Sequence, residues 1–302
     1  MNHSPIIFPL FGYDDLAHAI QKKCHYDLGN MTLHQFPDEE TVIKIESRVA
    51  DRQVFFITSL DKPNIKLLPL LFASQTAKSL GASAIVLIAP YLSYMRQDKV
   101  FEPGQGITSL YFAKLLSRYF DGLITIDPHL HRWHSLDELY EIPTKVLHAT
   151  DPIADWLRTS IKKPILIGPD IESTQWVKEI ASKASVPFLI LEKNRRGDDS
   201  VVISVHNIEQ YKDFVPVLID DIISTGVTMR ETVKILKKLE MPRPICIGVH
   251  GLFSGDAYDQ LSASGVEDII TCNTIRHSSN SIDVSNELIK FLKTGSGFTS
   301  LF

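Results

Sequence analysis

Short apolar runs of β-forming residues recur along the chain and alternate with helical patterns. Seven of these runs lack polar alternation. They occupy residues 54–58, 84–89, 122–127, 163–168, 187–191, 216–220 and 244–250. Continuous Val, Ile and Leu runs are typical of parallel strands that are covered on both faces. Helical patterns lie between them, for example at residues 65–80, 108–120 and 228–239. Strands that alternate with helices in this way predict an α/β fold with mostly parallel sheets flanked by helices.

The length of 302 residues is enough for two domains, each with its own core. Each half of the chain also repeats one pattern, in which a strand ends in a polar turn and is followed by a helix and a strongly apolar strand. The polar turn occupies residues 58–61 in the first half and residues 220–228 in the second. We therefore predict two domains, residues 1–148 and residues 149–302.

Composition and charge exclude several classes of protein. The formal net charge is −5, so bulk charge favours neither a nucleic-acid partner nor a membrane surface. No apolar run approaches the length of a membrane span, and the first residues lack the basic stretch of a secretory leader. The three cysteines, Cys24, Cys246 and Cys272, are too widely spaced for a zinc or disulfide framework. We expect a cytoplasmic protein that has no nucleic-acid or membrane partner.

The most informative local pattern is Val217-Leu-Ile-Asp-Asp-Ile-Ile-Ser-Thr-Gly-Val-Thr228. An apolar strand delivers Asp220 and Asp221 at the carboxyl end, where ligands of open α/β sheets bind. The Ser/Thr/Gly turn that follows opens a helix, and N–H groups at such a position suit a phosphate. The two carboxylates would repel a phosphate, but they suit the vicinal hydroxyls of a sugar, directly or through a metal. Together these features predict a site for ribose 5-phosphate. In the simpler interpretation Asp221 only caps the helix, but a cap requires one such residue and not six.

This segment resembles the phosphoribosyl-binding motif of the phosphoribosyltransferases, and five more motifs resemble those of the ribose-phosphate pyrophosphokinases in order and spacing. The five motifs are Phe36-Pro-Asp-Glu-Glu40, Tyr94-Met-Arg-Gln-Asp98, Ile126-Asp-Pro-His129, Gly168-Pro-Asp170 and Lys193-Asn-Arg195. The resemblance covers about residues 36–274 and looks closer to archaeal-type members. It implies two tandem phosphoribosyltransferase-like domains, with an ATP side in the first and a ribose 5-phosphate side in the second. The implied activity is transfer of the β,γ-diphosphoryl group of ATP to O1 of ribose 5-phosphate.

The resemblance also assigns the substrates to particular residues. The ribose 5-phosphate residues are Asp220, Asp221, Ser224, Thr225, Gly226, Val227 and Thr228. The ATP residues are Phe36, Asp38, Glu40, Arg96, Gln97, Asp98 and His129. In the family, the segment at residues 36–40 reaches the ATP of a neighbouring subunit, so a homo-oligomer with shared active sites is implied. Without the resemblance, residues 36–40 and 96–98 would be interpreted as solvated charged loops.

The resemblance further implies Mg²⁺ as cofactor, held by His129 and Asp170, and it implies a catalytic role for Lys193, Arg195 and His129. A carboxylate is a hard oxygen ligand of the kind that Mg²⁺ prefers. In the family the Lys-x-Arg pair lies on a flexible loop that closes over the ATP phosphates, where cations stabilise the migrating charge. By residue type alone, this run also fits a charged hairpin tip.

Three histidines at residues 129, 131 and 134 also suggest a zinc site, but no cysteine is near to complete it. We interpret His131 and His134 as surface or capping residues. The chain has no G-x-x-x-x-G-K-[ST] motif and no G-x-G-x-x-G motif after a strand, which excludes a P-loop kinase and a Rossmann dinucleotide site.

Two other functions share part of this pattern. An ordinary phosphoribosyltransferase needs residues 220–228 but neither residues 96–98 nor residues 193–195. A catalytically inactive regulatory homologue would keep the fold and assemble with an active enzyme, although the presence of the motif residues argues against it.

Three positions depart from the family pattern. Glu39 and Val227 stand where the family has glycine, and Ser224 stands where many members have aspartate. A valine does not readily adopt a positive φ. Either the turn at Val227 does not require that conformation, or the phosphate loop is reshaped.

Overall fold

The computed structural model describes residues 4–170, 173–195, 201–204 and 208–294, and it leaves the side chains of residues 192–195 and 201–204 outside that description. The described residues form sixteen strands and eight helices. In chain order these are β1 (Ile6–Pro9), α1 (Asp14–Cys24), β2 (Asp27–Leu28), β3 (Met31–Gln35), β4 (Thr41–Ile45), β5 (Gln53–Ile57), α2 (Pro63–Ser79), β6 (Ala84–Ala89), α3 (Thr108–Tyr119), β7 (Gly122–Ile126), β8 (Thr144–Leu147), α4 (Thr150–Ser160), β9 (Pro164–Gly168), α5 (Thr174–Ala184), β10 (Phe188–Ile190), β11 (Glu192–Arg195), β12 (Val201–Ser204), β13 (Val215–Ile223), α6 (Val227–Lys238), β14 (Ile245–Gly251), α7 (Ala257–Ser262), β15 (Asp268–Cys272), β16 (Asn280–Ile282) and α8 (Ser285–Thr294).

The chain divides into two compact units, one on each side of residue 147. The described residues up to Leu147 and those from Ser285 onward form the first unit, and residues 148–284 form the second. The first unit contains a six-stranded sheet of order β2-β1-β5-β6-β7-β8. Every neighbouring pair in this sheet is parallel. The strands β3 and β4 form a separate antiparallel hairpin.

The second unit repeats this topology. Its sheet has the order β10-β9-β13-β14-β15-β16, again with parallel neighbours throughout. When the strands are numbered within each sheet, both orders become 2-1-3-4-5-6. In both units an antiparallel hairpin lies between the second and third strands, β3–β4 in the first and β11–β12 in the second. The strand order of each sheet reverses beside its first strand, and ligands of open α/β sheets bind at such switch points.

The central strands of both sheets are apolar and covered on both faces, and they position the carboxyl ends at which ligands bind. All six residues of β6 are buried, as are all five of β7 and of β9. In α6 the residues Met229, Val233 and Leu236 are buried on one face, as the helical spacing predicts, and they join the core of the second unit. No helix among the described residues is both long and apolar enough to cross a membrane.

The helix α8 differs from the sequence-based division at residue 148, which placed residues 149–302 together. In the structure α8 packs against α1 in the first unit. Lys23 of α1 donates a hydrogen bond to Asn286 Oδ1 at 2.9 Å, and Lys145 Nζ lies 5.4 Å from the centre of the Phe291 ring. The chain therefore returns to its first unit after completing the second.

Candidate active site

The carboxyl end of β13 holds the acidic pair that the sequence singled out. This strand lies between β9 and β14, and Asp220 pairs with Gly248 of β14. The backbone N–H of Asp221 donates to Asp220 Oδ1 at 3.0 Å, and that of Ile222 donates to Asp221 Oδ1 at 2.7 Å. Backbone N–H groups of β13 thus hold both carboxylates near the carboxyl end of this central strand.

Electrostatics at this edge disfavour the ionised form of Asp220. Burial, the charge and hydrogen bond of Asp221, and the charge of Asp170 raise the pKa of Asp220 to about 8. Burial and neighbouring negative charges both disfavour a charged carboxylate, and therefore raise its pKa. Bringing a cation to this edge would favour the charged forms.

Asp170 lies just beyond the carboxyl end of the neighbouring strand β9. The backbone N–H of Ser173 donates to Asp170 Oδ1 at 3.0 Å, and Ser173 Oγ donates to the Asp170 carbonyl at 2.7 Å. These bonds tie Asp170 to the residue that precedes α5. Ser173 was not identified by the sequence analysis, although a serine three residues after an aspartate is a common turn pattern.

The turn after β13 leads directly into the N-terminus of α6. Gly226 has a φ of 67° and occupies the cap position, and no side chain caps the helix. Val227 is the first helical residue, and its side chain is 48% exposed. The turn therefore requires the left-handed backbone at Gly226 and not at Val227, which decides between the two alternatives that the sequence left open.

Ser224 connects this turn to the loop that follows β14. Its hydroxyl lies 3.2 Å from Ser254 Oγ, and its carbonyl accepts a hydrogen bond from the backbone N–H of Ser254 at 3.0 Å. Thr225 is exposed and Thr228 is half-buried. The N–H groups of the first turn of a helix have no intrahelical acceptor, so this N-terminus offers donors to a ligand.

Lys193 and Arg195 belong to the hairpin that is inserted between β10 and β13. Their backbones lie in β11 and pair with Ile203 and Val201 of β12. Their side chains, and residues 196–200 that join the two strands, lie outside the described residues. The catalytic role assigned to the pair thus stays a prediction.

In the first unit, the loop after β6 carries Arg96, Gln97 and Asp98. Arg96 and Gln97 are exposed, whereas Asp98 is buried. The Gln97 backbone accepts a hydrogen bond from the N–H of Ser109, at 3.2 Å, and so anchors the loop to the start of α3. Tyr94 has a φ of 65°, in the left-handed region, and turns the chain between the strand and these residues.

Asp98 has a partner that the sequence analysis missed. Its buried Oδ2 atom accepts no hydrogen bond within the described part of the chain, and Arg132 Nε lies 3.7 Å from it. Arg132 is half exposed and sits 34 positions further along the chain, so no local pattern could show the pairing.

His129 follows β7 by way of Asp127, whose φ of 36° is unusual for a residue with a side chain. The His129 ring is edge-on to that of His131, with 6.0 Å between their centres. The backbone N–H of His134 donates to Glu138 Oε1 at 2.8 Å, next to a capped helical turn at Leu136–Glu138. His131 and His134 are exposed. Within the described residues no three His, Cys, Asp or Glu side chains converge as metal ligands.

The tip of the β3–β4 hairpin carries Phe36, Asp38 and Glu40. Phe36 is 44% exposed and its ring contacts that of His34 edge-on at 4.7 Å. The N–H of Glu40 donates to Asp38 Oδ1 at 3.2 Å. Glu39, which stands where the family has glycine, has a φ of 72°. This position does require the left-handed conformation.

The comparisons with known proteins agree over most of the chain. Residues 6–119 match the N-terminal domain of ribose phosphate pyrophosphokinase, and residues 135–285 match the phosphoribosyl transferase domain. A protein named ribose-phosphate pyrophosphokinase from Methanopyrus kandleri is 28% identical over 93% of this chain and 96% of its own length. One of the same name from Sulfolobus acidocaldarius is 31% identical over 84% of this chain and 89% of its own length.

A solved structure shares the fold. The phosphoribosylpyrophosphate synthetase from Mycobacterium smegmatis superposes with a TM-score of 0.83 at 21% identity, covering 97% of this chain and 98% of that one. The likeness confirms the α/β fold with two phosphoribosyltransferase-like domains that the sequence predicts. The matched domains and relatives show that the chain belongs to the ribose-phosphate pyrophosphokinase family.

Proposed function

We propose that the chain transfers the β,γ-diphosphoryl group of ATP to the anomeric hydroxyl of ribose 5-phosphate, which yields 5-phosphoribosyl 1-diphosphate and AMP. The observation that carries this proposal is the edge of the second sheet. There, two carboxylates stand immediately before a left-handed glycine and an uncapped helix N-terminus. Relatives along nearly the whole chain bear the name of this activity.

The turn at residues 224–228 binds the 5-phosphate. The helix N-terminus supplies unpaired N–H donors and the positive end of the helix dipole. The hydroxyls of Ser224, Thr225 and Thr228 add further donors. Asp220 and Asp221 accept hydrogen bonds from the ribose hydroxyls, because a carboxylate is an acceptor and a diol a pair of donors. The sugar is thereby fixed at both ends.

The donor set at this edge fits Mg²⁺. Asp170, Asp220 and Asp221 offer hard oxygen atoms, and burial, followed by the charges of Asp221 and Asp170, raises the pKa of Asp220 to about 8. Asp170 would hold the ion in the second unit, and His129 is the ligand that the family resemblance assigns in the first unit. The bound ion supplies positive charge that neutralises phosphate oxygens.

The loop after β6 binds ATP. Arg96 is exposed and offers a fixed cation to the phosphates. The buried Asp98 Oδ2 atom, which accepts no hydrogen bond from the residues that the structure describes, suits the amino group of adenine, since a buried acceptor without a donor is costly. Arg132 balances the charge of Asp98.

The chemical step is an in-line displacement at the β-phosphorus. The bond from sugar O1 to that phosphorus forms, the bond from the phosphorus to the α,β-bridging oxygen breaks, and AMP departs. The O1 proton passes to solvent, since none of the assigned residues is placed as a base. Lys193 and Arg195 stabilise the charge on the migrating group, and His129 contacts the phosphates.

The hairpin tip with Phe36, Asp38 and Glu40 completes the ATP site of a neighbouring copy, so the active unit is at least a dimer. We test this with two inactive chains, Asp38→Ala/Glu40→Ala and Arg96→Ala/His129→Ala. When mixed, they form some sites that carry neither defect. Activity should return toward about a quarter of the wild-type value if pairing is random and each interface makes two reciprocal sites. Mixed oligomers without activity would show that the tip serves its own chain.

We also propose that the protein works in the cytoplasm. None of its three cysteines is in a disulfide bond, and two of them, Cys246 and Cys272, are buried. This is the usual state of thiols in a reducing compartment.

The reaction is tested by measuring AMP formation in the presence and absence of ribose 5-phosphate. Dependence on the sugar phosphate supports the proposal. A phosphoribosyltransferase would instead consume 5-phosphoribosyl 1-diphosphate together with a base, and an inactive homologue would give no AMP. The variant Asp221→Asn should lose activity, whereas Asp14→Asn, at an exposed position of α1 in the first unit, should keep it.

A further inference from the structure

The loop that follows β14 holds the chain where the turn at residues 224–228, which we call the phosphate turn, begins. The carbonyl of Ile223 accepts hydrogen bonds from the N–H groups of Leu252, at 3.0 Å, and of Phe253, at 3.1 Å. The carbonyl of Ser224 accepts a third bond, from the N–H of Ser254 at 3.0 Å. Three backbone bonds from this loop thus fix the start of the phosphate turn.

Phe253 has an unusual backbone conformation in this loop. Its φ is 43°, and a positive φ is costly for a residue with a bulky side chain. Glycine occupies the other such position in the loop, Gly255 with a φ of 64°, where an added Cβ would have nothing within 4 Å. Strained conformations persist only where the surrounding structure determines them, and they concentrate near functional sites. A phenylalanine where a second glycine would be relaxed indicates that the ring itself is needed.

The neighbouring glycine provides the space for this ring. An added Cβ at Gly251 would lie 2.6 Å from Phe253 Cε2 and 2.9 Å from Thr271 Cγ2. Any side chain at residue 251 would therefore displace the Phe253 ring. Phe253 is only 9% exposed, so the ring packs inside the second unit and does not extend into solvent.

Two further rings hold that of Phe253. Tyr258 of α7 lies edge-on to it, with 5.1 Å between ring centres, and His277, between β15 and β16, is tilted against it at 4.5 Å. The rings of Tyr258 and His277 are 4.7 Å apart, so each of the three contacts the other two. Aromatic pairs at such distances attract each other beyond the effect of the apolar area that they bury. We call Phe253, Tyr258 and His277 the Phe253 cluster.

His277 is itself fixed by contacts with the sheet. Its Nδ1 atom accepts a hydrogen bond from the backbone N–H of Ser279 at 3.2 Å and lies 2.8 Å from Ser279 Oγ. Ser279 Oγ is 2.7 Å from Thr271 Oγ1 in β15, and both of these residues are buried. Burial also lowers the pKa of His277, which favours the neutral ring. The Phe253 cluster is therefore anchored to the sheet as well as to α7.

The Phe253 cluster reaches the phosphate turn by two routes. The first is the set of hydrogen bonds from the loop at residues 252–254. The second is α7, because Ala257 precedes Tyr258 and its carbonyl would lie 3.7 Å from a Cβ added at Gly226. The start of the phosphate turn and its left-handed glycine thus both contact segments that the cluster holds.

We propose that the Phe253 cluster positions the phosphate turn for ribose 5-phosphate. Its three members are positioning residues, since they act through residues 252–257 and not by touching the sugar phosphate. Their ring contacts offset the strain at Phe253 and keep the N–H groups of the turn in the geometry that a phosphate requires. The inference rests on the proposed binding of the 5-phosphate at residues 224–228, and it adds residues that none of the sequence motifs contains.

The first test compares Tyr258→Leu with Tyr258→Phe in the full-length protein. Leucine keeps the apolar bulk and removes both ring contacts of Tyr258, whereas phenylalanine keeps them. Tyr258→Leu should raise the KM and the Kd of ribose 5-phosphate by about 3- to 10-fold, as expected for the loss of an aromatic pair. The changes in kcat and in the KM of ATP should be smaller, because positioning of the turn acts alike on the ground state and the transition state. Tyr258→Phe should restore the wild-type values.

A matched control lies at the opposite end of the same sheet. Tyr211 packs edge-on against Phe214, with 5.2 Å between ring centres, just before β13 begins. Tyr211→Leu removes this ring contact and should leave the KM of ribose 5-phosphate unchanged. An equal rise in KM for Tyr258→Leu and Tyr211→Leu would indicate a general loss of stability and would overturn the proposal. An unchanged KM in Tyr258→Leu would overturn it as well.

Hydrogen exchange tests the positioning in the protein without ligand. The N–H groups of residues 252–254 should exchange about 3- to 10-fold faster in Tyr258→Leu than in the wild type or in Tyr258→Phe, because the loop opens more easily. Exchange in the buried strand β9 should stay the same. Unchanged exchange at residues 252–254 would show that the rings do not hold the loop, and the proposal would be wrong.

The outcome for the Phe253 cluster is separable from that for the reaction. A wild-type protein that binds ribose 5-phosphate but forms no AMP refutes the reaction, and the Kd values of the variants still decide on the cluster. AMP formation with the same KM of ribose 5-phosphate in the wild type and in Tyr258→Leu refutes the cluster alone. A wild-type protein that does not bind ribose 5-phosphate refutes both.

Discussion

Gly226 and Val227 are adjacent at the start of α6, and their substitution should have very different effects on stability and on binding of ribose 5-phosphate. Gly226 has a φ of 67°, so Gly226→Ala forces an alanine into the left-handed region, which costs about 1–2 kcal/mol. The smaller entropy of the unfolded variant chain returns about 0.4–1 kcal/mol. The net loss of stability is about 1 kcal/mol, which lowers the unfolding midpoint by about 1.5 °C for a chain of this size.

The same substitution should weaken binding of ribose 5-phosphate. An added Cβ at Gly226 would lie in van der Waals contact with the Ala257 carbonyl, at 3.7 Å, so strain and not a clash displaces the turn. Losing one N–H donor to a phosphate costs about 1.5–3 kcal/mol, which corresponds to a rise in KM for the sugar phosphate of about 10- to 100-fold. The Kd of ATP should stay within about twofold. Initial rates and calorimetry measure the two quantities.

Val227→Gly is the matched control. Val227 is already helical and about half exposed, so removal of its side chain should change the KM for ribose 5-phosphate by no more than about twofold. If Val227→Gly altered KM as much as Gly226→Ala does, or if Gly226→Ala were neutral, the assignment of the left-handed position to Gly226 would be refuted.

Four further substitutions have defined outcomes. Lys193→Ala or Arg195→Ala should lower kcat by about 10³-fold with a much smaller change in the Kd of ATP, since these cations act on charge in the transition state; unchanged turnover would remove them from the mechanism. Asp221→Asn should weaken ribose 5-phosphate binding by about 1.5–3 kcal/mol in calorimetry and leave ATP binding intact; the reverse pattern would mean that the substrates are assigned to the wrong units. Glu39→Gly should raise the free energy of unfolding by about 0.5 kcal/mol, because glycine adopts the left-handed backbone conformation of this position without the strain that a side chain causes. A lower midpoint in thermal unfolding would contradict this.

The apolar runs predicted the sheets well because strands covered on both faces must be apolar along their whole length. All seven predicted runs coincide with strands, and β6 has the bounds that were predicted. The run at 216–220 was too short, since β13 continues to Ile223. Backbone pairing with β14 carries the strand through Asp220 and Asp221 even though their side chains are charged. The acids therefore lie within the strand and not after it.

The sequence failed to predict two kinds of feature. One is a pair of solvent-exposed strands, and the other is contacts between residues that are far apart in the sequence. The two strands of the hairpin β3–β4 have ten residues, all of them exposed or half-buried, and carry no apolar run. The pairing of Asp98 with Arg132 and the return of α8 to α1 join segments that are far apart in the sequence. Hydrophobic periodicity reports the local face of an element and cannot report such partners.

Two departures from family glycines look alike in the sequence but differ in the structure. Glu39 retains a positive φ, whereas Val227 is helical. The sequence shows only that glycine is missing, because the backbone angle depends on the hydrogen bonds around it. At the hairpin tip, the Glu39 N–H donates to the Phe36 carbonyl at 2.9 Å and closes a tight turn. In the turn before α6, Gly226 adopts the left-handed conformation, and Val227 is already helical.

The central claim is that ribose 5-phosphate receives a diphosphoryl group from ATP. Phosphorus-31 NMR of the wild-type protein with ATP, ribose 5-phosphate and Mg²⁺ tests this directly, since it distinguishes every phosphorus-containing product. The account predicts that AMP and 5-phosphoribosyl 1-diphosphate appear in equal amounts as ATP and ribose 5-phosphate disappear, without ADP. Formation of ADP would indicate single phosphoryl transfer, and unchanged ATP in the presence of the sugar phosphate would indicate an inactive chain; either result would contradict the account.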